Sequence, residues 1–377
     1  MSGACGDCLR RAWLIGRLAP RIAGLLQRRE GRPGGILALG DDELIAAAAG
    51  RQAQQQRLFL ERFDPGSARQ AVESARLHAV CRHDRRYPAP LSQLVDSPAV
   101  LFSTAEPESV ARLTGEPAVA LVGARSASPY GLEMAFRLGR GLAAAGVTVV
   151  SGLALGIDAA AHRGCLEGGG RALAVLAGAA DLPYPYRNRR LYERLRREGA
   201  VVSEMPPGQR AFRWSFPARN RLMAGLAGMT VVVEAADPSG SLITAHFASE
   251  LGRPVGAVPG RATSRLTAGV HALLRDGARL VAGPEDVLEE LFGAGLARLP
   301  EPVSDELPEE LRGALDAVEA GAGVAGVARM AGLSAAEARA ALARLEALGR
   351  VRRTGLGSYS PAAPRPAPVR RAATSDA

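Results

Sequence analysis

Six short apolar runs separated by longer segments of helical spacing occupy the middle of the chain. They are AVALVGA (118–124), VTVVSG (147–152), ALAVLAG (172–178), AVVSE (200–204), MTVVVEA (229–235) and PVGAVPG (254–260). Each is apolar at consecutive positions rather than alternate ones, so both faces of the strand it predicts must be covered. Between them, stretches such as GLEMAFRLGRGLAAAG and SLITAHFASELG repeat apolar residues every three or four positions, the spacing of a helix with one buried stripe. Strand and helix in that alternation predict an α/β fold: a doubly wound, mainly parallel sheet with helices on both faces, over residues 89–298.

The flanks have other textures. Residues 1–88 carry helical spacing (WLIGRLAPRIAGLLQRR, DDELIAAAAG, SARQAVESARLHAV) broken by Gly and Pro, and predict a small helical N-terminal domain. Over 305–360 the pattern gives three helices, the third opened by Ser334 with Glu337 three positions on, and then a hairpin in GRVRRTGLGSYSP. Three helices followed by a β-wing is the winged-helix pattern. Its third helix balances Arg339 and Arg344 with Glu337 and Glu346, so a protein-contact or auxiliary-DNA role is as well supported as sequence-specific duplex reading. Residues 361–377, rich in Pro, Ala and Arg, predict a disordered basic tail.

Composition narrows the chemistry. All 47 basic residues of the 377 are arginine, and the net charge is +9. With no lysine, a phosphate-loop amine, a Schiff base and a pyridoxal-phosphate anchor are all excluded. Arginine instead grips phosphate or carboxylate as a bidentate fork and stacks on flat rings, and the surplus charge favours a polyanionic partner. Cys5 and Cys8 form a lone C-x-x-C without a second pair at finger spacing, so these thiols, with Cys81 and Cys165, are read as reduced and no metal is expected. WLIG is too short for a signal-peptide core, and the uncharged run 141–157 is broken by four glycines, so no membrane partner and a cytoplasmic location are expected.

In a doubly wound sheet, ligands bind beyond the carboxyl ends of the strands. Those positions carry Gly123, Arg125 and Ser126 after the first run and Ser151 and Gly152 after the second, which together read as an anion cradle. Arg219, Asn220 and Arg221 on one helix, and Ser239, Gly240 and Thr244 at the start of another, extend it into a groove. The segment 184–216 holds six of the sixteen aromatics, eight arginines and three glutamates. Rings interleaved with arginines suit single-stranded nucleic acid, with Arg187, Arg189 and Arg190 on phosphates and Tyr184, Tyr186, Tyr192, Phe212 and Trp214 as stacking candidates. G-x-G-x-x-G is absent and no acid follows the second strand, so no nicotinamide or other cofactor is expected. Asp158 and His162, four apart in VVSGLALGIDAAAHRG, have the spacing of an acid/base pair. No nucleophile or metal cluster joins them, and they are read as structural: Asp158 capping the helix that follows, His162 bracing the turn.

The order of VALVGARSASPYG, VVSGLALGIDAAAHRG, YPYRNRRL, SEMPPG, FPARNRLMAGL, VVVEAADPSGSLITAHFASELGRPVGAVPG and GVHALLRDGA strongly resembles the DNA-processing protein A (DprA/Smf) family over residues 85–290. The resemblance implies an extended Rossmann fold with SAM-like helices before it and a DML1-like winged helix after it. The implied protein is a non-catalytic homodimer that binds and protects incoming single-stranded DNA and loads a RecA-type recombinase during natural transformation. On that resemblance Arg125 takes the phosphate contact, Arg189 or Arg190 the basic position after the Tyr-Pro motif, and Arg219 to Arg221 the Arg-Asn-Arg signature. Two features depart from it: Ala177 and Ala179 flank Gly178 where the family has G-x-G, and His271 stands where Asn is common. The competing reading is a nucleotide-processing enzyme of the extended-Rossmann phosphoribohydrolase type, whose Gly-Gly-x-Gly-Thr-x-x-Glu loop SGSLITAHFASE matches only loosely.

Overall fold

The computed structural model describes residues 3–29, 33–115, 117–293, 309–347, 350–355 and 358–361. The chain divides into two compact units, 1–299 and 300–377. In the first, nine strands form one sheet: β1 His78–Cys81, β2 Val100–Ser103, β3 Ala118–Val122, β4 Thr148–Ser151, β5 Ala172–Val175, β6 Ala200–Ser203, β7 Met229–Val232, β8 Val255–Ala257 and β9 Arg279–Leu280. Their spatial order is β1-β2-β6-β5-β4-β3-β7-β8-β9. The seven strands from β6 to β9 pair in parallel, and β2 and β1 complete one edge antiparallel.

All six expected runs became strands, each stopping short of the run's last residue: a glycine or alanine in five of them and Glu204 in the sixth. Three strands were not foreseen. β9 has two residues, too few for a pattern, and β1 lies inside the stretch read as helical, whose last helix ends at Ser74.

The consecutive apolar positions are explained by the two faces. Val119, Leu121, Val149 and Val231 point to one side, where Leu138, Leu142 and Ala161 of the helices Pro129–Ala144 and Ile157–Glu167 cover them. Ala120, Val122, Val150 and Val232 point to the other, under Leu222, Leu226 and Ala245 of the helices Ser215–Leu226 and Gly240–Glu250. The chain runs outward from β3 to β6 and then returns to the opposite side of β3 to begin β7. The strand order therefore reverses between β3 and β7, which is where an open α/β sheet leaves a crevice.

The N-terminal helices, led by Gly6–Arg29, build their own apolar cluster from Leu14, Leu18, Ile22, Leu44 and Ile45, closed by Met205, Trp214 and Ala218. Trp13 adds a tilted contact to Phe63 and an edge contact to Phe102, with ring centroids 6.3 and 5.8 Å away.

In the second unit, the helices Glu309–Glu319, Val324–Met330 and Ala335–Ala347 precede an antiparallel hairpin of β10 Val351–Gly355 and β11 Ser358–Pro361. Leu311, Val318, Val327, Leu342, Leu345 and Val351 form its core. The expected capping box is present: the Glu337 N–H donates to Ser334 Oγ (3.3 Å) and the Ser334 N–H to Glu337 Oε2 (2.8 Å). The tail read over 361–377 lies outside the described residues, apart from Pro361.

Candidate anion-binding cleft

The carboxyl ends of β3, β4 and β7 open onto a cleft of about 360 Å³. Gly123, Ala124 and Arg125 form one wall, Pro238 to Ser241 with Thr244 the other, and Phe216, Arg219 and Asn220 the floor. A smaller cavity of about 110 Å³ shares Arg125, Phe216 and Arg219 and continues past Gly152, Leu155 and Ala177 to Tyr184 and Pro185.

The loop after β4 is built around a carboxylate. Asp158 accepts the backbone N–H groups of Gly152 (3.0 Å) and Ala154 (3.3 Å), so it holds the preceding loop rather than capping the first turn of its own helix. Gly156 allows the tight entry to that helix: its φ is +77°, and a Cβ there would lie 2.2 Å from the Ala124 carbonyl oxygen. Asn188 clamps the same loop from the far side, donating to the carbonyls of Leu153 (2.9 Å) and Ala154 (3.2 Å). Burial raises the Asp158 pKa, against the opposing charges of Arg219 and Arg125.

Arg219 supplies the cleft's buried cation. Its Nη1 donates to the Val175 carbonyl (2.9 Å) and to Met223 Sδ (3.2 Å), while its Nε has no partner among the described residues. Burial pushes its pKa down to about 10, with the Asp158 charge working the other way. The Thr244 hydroxyl is likewise fully buried and unpartnered. Polar groups left in this state are uncommon in native proteins and are expected to find a partner from solvent or ligand. Arg125 stands exposed above them with its guanidinium 5.1 Å from the Phe216 ring centroid, and the Phe216 and Tyr184 rings lie 5.5 Å apart. Floor and rim together offer cation, hydroxyl and ring to a flat, negatively charged ligand.

The remaining expected site residues divide. Arg187, Arg189 and Arg190 are exposed beside Tyr184 and Tyr186, and Arg189 Nη1 donates to the Tyr186 hydroxyl (3.2 Å). Ser126 is exposed next to Arg125. Ser239 caps the helix Gly240–Glu250 by accepting the Ser241 N–H, and Asn220 Nδ2 donates to the Gly240 carbonyl (3.0 Å), which fixes this wall.

Several expectations are corrected. Arg221 does not face the cleft. It is buried in an ion-pair network with Asp96 and with both carboxylate oxygens of Glu204 (2.7 and 2.8 Å), and also donates to the Ala218 carbonyl. Burial alone would lower its pKa, but Glu204 and Asp96 outweigh that and raise it. Tyr192 is core, with its hydroxyl on the Ala180 carbonyl (2.8 Å), and Trp214 donates its indole N–H to the Ala19 carbonyl (2.8 Å). Phe212 packs against the same N-terminal cluster. Tyr192 and Trp214 are therefore closed to a base, and Phe212 is half-buried with its ring turned to that cluster. The Ser151 hydroxyl is buried and bonded to the Leu121 carbonyl (2.6 Å), and Gly152 is buried against Arg219, so neither N–H nor hydroxyl of this pair reaches a ligand.

His162 is fully buried, and among the described residues neither ring nitrogen has a hydrogen-bond partner, Asp158 included. Burial holds its pKa down to about 3. Sequence reasoning missed Phe216, Asn188 and Glu234. Glu234 accepts the Ser128 N–H (2.8 Å) and hydroxyl, setting the start of the helix Pro129–Ala144. Phe216 belongs to the same aromatic cluster but lies outside the set of stacking candidates. Its phase was the available signal, two positions beyond Trp214 and on the same helix as Arg219. Of the family departures, Ala177 lies in the wall of the smaller cavity, Ala179 is buried, and His271 bonds the Gly260 carbonyl through Nε2 (3.1 Å).

These features define a class, a Rossmann-like protein with an arginine-floored cleft at its topological switch point. The family model for DNA recombination-mediator protein A matches residues 78–292, and the chain belongs to that family. It is 44% identical over 222 residues to a putative DNA processing protein DprA of Mycobacterium tuberculosis, covering 55% of this chain and 57% of that protein, so it spans little more than half of that relative's length. With the DprA of Streptococcus pneumoniae it shares 38% identity over 255 residues, 67% of this chain and 87% of the other. The X-ray structure of the pneumococcal protein superposes with a TM-score of 0.60 at 31% identity, covering 75% of this chain and 96% of that one. A Helicobacter pylori DNA processing protein A, described for its single-stranded DNA binding mode, gives 0.51 at 26% identity, covering 57% and 95%. Among the described residues no helix is long and apolar enough to cross a membrane.

Proposed function

We propose that this chain binds single-stranded DNA in the cleft between β3 and β7 and does no chemistry on it. It shields the strand and passes it, as a homodimer in the cytoplasm, to a RecA-type recombinase during transformation and recombination. The observation that carries the reading is the unpartnered Arg219 Nε and Thr244 hydroxyl lying buried beneath Arg125, with Phe216 and Tyr184 alongside. The cations meet the phosphate, and the rings at the rim give the adjoining base a stacking surface that tolerates any sequence. Membership of the family and the DNA binding of the H. pylori relative support it. A non-catalytic role is supported by Asp158, which is buried and committed to the loop, and by His162, which is buried and not bonded to it.

The test is a comparison of single-stranded and duplex DNA binding across a salt titration, with a RecA-type recombinase added afterwards. Expected are a preference for the single strand, a steep loss of affinity with salt, and faster filament assembly by the recombinase. Arg125→Ala should weaken binding and lower the salt slope by about 0.7, one phosphate's worth on a single strand. Preference for duplex would move the reading to the C-terminal unit. Release of free base from nucleoside monophosphates would replace it with the enzymatic one.

A further inference from the structure

Cys5 and Cys8 acquire partners that no sequence spacing announced. Gly3 forms a parallel β-bridge with Val80, which draws the start of the chain along β1 and sets Cys5 opposite Cys81. His83, two residues past Cys81, brings its Nδ1 to 3.5 Å from both Cys5 Sγ and Cys8 Sγ. One donor atom from each of the four residues lies within 4.8 Å of all the others. The backbone N–H of Cys5 donates to Cys81 Sγ (3.5 Å), which holds that sulfur beside the other donors.

The geometry points to a structural zinc site of composition Cys3His, formed by Cys5, Cys8, Cys81 and His83. In a tetrahedron with Zn–S of about 2.3 Å and Zn–N of about 2.0–2.1 Å, the S···N edge is about 3.6 Å, so the two 3.5 Å contacts already sit at a zinc edge length. Convergence of two sulfurs on one ring nitrogen suits a central ion. A disulfide would instead join two of the sulfurs and leave the imidazole out. Three sulfurs and one nitrogen select zinc among the common divalent ions, and four protein ligands leave no open position for catalysis. Binding sends the three thiol protons to solvent and uses a neutral imidazole, so the metallated site carries a single negative charge.

Its position says what it does. Cys5 and Cys8 sit at the entry to the first helix, and Cys81 and His83 at the far end of β1, so the ion closes a loop around the entire N-terminal helical bundle and fastens it to the sheet edge. Closing a long loop limits the unfolded chain more than closing a short one, and the ion binds only the folded arrangement.

The experiment uses the full chain purified under reductant without chelator. Elemental analysis should find about one zinc per chain, and exchange with cobalt should give the visible spectrum of a tetrahedral thiolate-rich site. The exposed His83 can be replaced without disturbing the core. His83→Ala should therefore keep its circular dichroism, weaken zinc by at least about tenfold in chelator competition, and change the cobalt spectrum. Cys81→Ser should lose zinc, and Cys165→Ser, at a thiol buried elsewhere in the core, should keep it. Zinc well below stoichiometric even after loading, a Cys5–Cys8 or Cys5–Cys81 disulfide in freshly isolated protein, or unchanged zinc affinity in His83→Ala would each overturn the proposal.

Discussion

The guanidinium of Arg219 rests on Gly152 so closely that a Cβ at residue 152 would fall 1.4 Å from Nη1. The end of β4 and the helix Ser215–Leu226 are thereby locked together, and the cation's position depends on a missing side chain. Gly152→Ala must push Arg219 out of the floor. The expected result is a stability loss of about 1–3 kcal/mol, as for other overpacked interiors, together with weaker single-stranded DNA binding. Chemical denaturation and fluorescence anisotropy measure the two, and unchanged DNA affinity would take Arg219 out of the binding site.

Aromatic residues from a single stretch should separate by function. Tyr184 is 51% exposed at the cavity mouth and touches Phe216, whereas Trp214 is buried with its indole N–H satisfied by Ala19. Tyr184→Ala should weaken single-strand binding by about 1–3 kcal/mol, the usual worth of one stacked base, with little change in melting temperature. Trp214→Ala should cost about 3–5 kcal/mol of stability. The reverse pattern would invert the assignment.

Arg221 differs from Arg219 in the same way. Its charge is fully committed to Asp96 and Glu204, so Arg221→Met leaves two buried carboxylates without their cation. A loss of about 3–5 kcal/mol is expected, with the salt dependence of DNA binding by the remaining folded protein unchanged. A reduced salt slope would show that Arg221 contacts phosphate after all.

His162 makes stability depend on pH. Its native pKa is held down to about 3, while in the unfolded chain it returns to about 6.5. Between those values the unfolded state binds a proton that the native state refuses. The contribution is therefore complete above about pH 6.5 and is lost as pH falls toward 3, by up to about 1.4 kcal/mol per pH unit. Asp158, whose pKa burial raises, acts with the opposite sign: its contribution is present at low pH and lost as pH rises through the raised value. Denaturation of wild type and His162→Leu at a series of pH values isolates the histidine as their difference. Parallel curves would rule it out as the source.

How far the sequence could be read follows from the range of each interaction. The six central strands were legible because a strand covered on both faces is apolar at consecutive rather than alternate positions, a demand visible in five consecutive residues such as AVALV. The capping box at Ser334 and Glu337 was legible because both partners lie within one turn. The strand-end loops carrying Arg125 and the Ser239 to Thr244 wall followed from the fold class alone. Arg219 and Arg221 were indistinguishable in FPARNRL, yet on one helix they take opposite fates. Only the β2–β6 side of the sheet supplies Asp96 and Glu204 to one of them, and only the cleft floor receives the other. The same holds for Trp214, whose partner Ala19 is 195 residues away, and for the four donors Cys5, Cys8, Cys81 and His83, brought together by the bridge between Gly3 and Val80. Local pattern along the chain specifies where segments must be buried and where the sheet leaves its crevice. Which cations and rings remain open to a ligand was decided by tertiary contacts, because burial and pairing depend on residues that the chain's order keeps far apart.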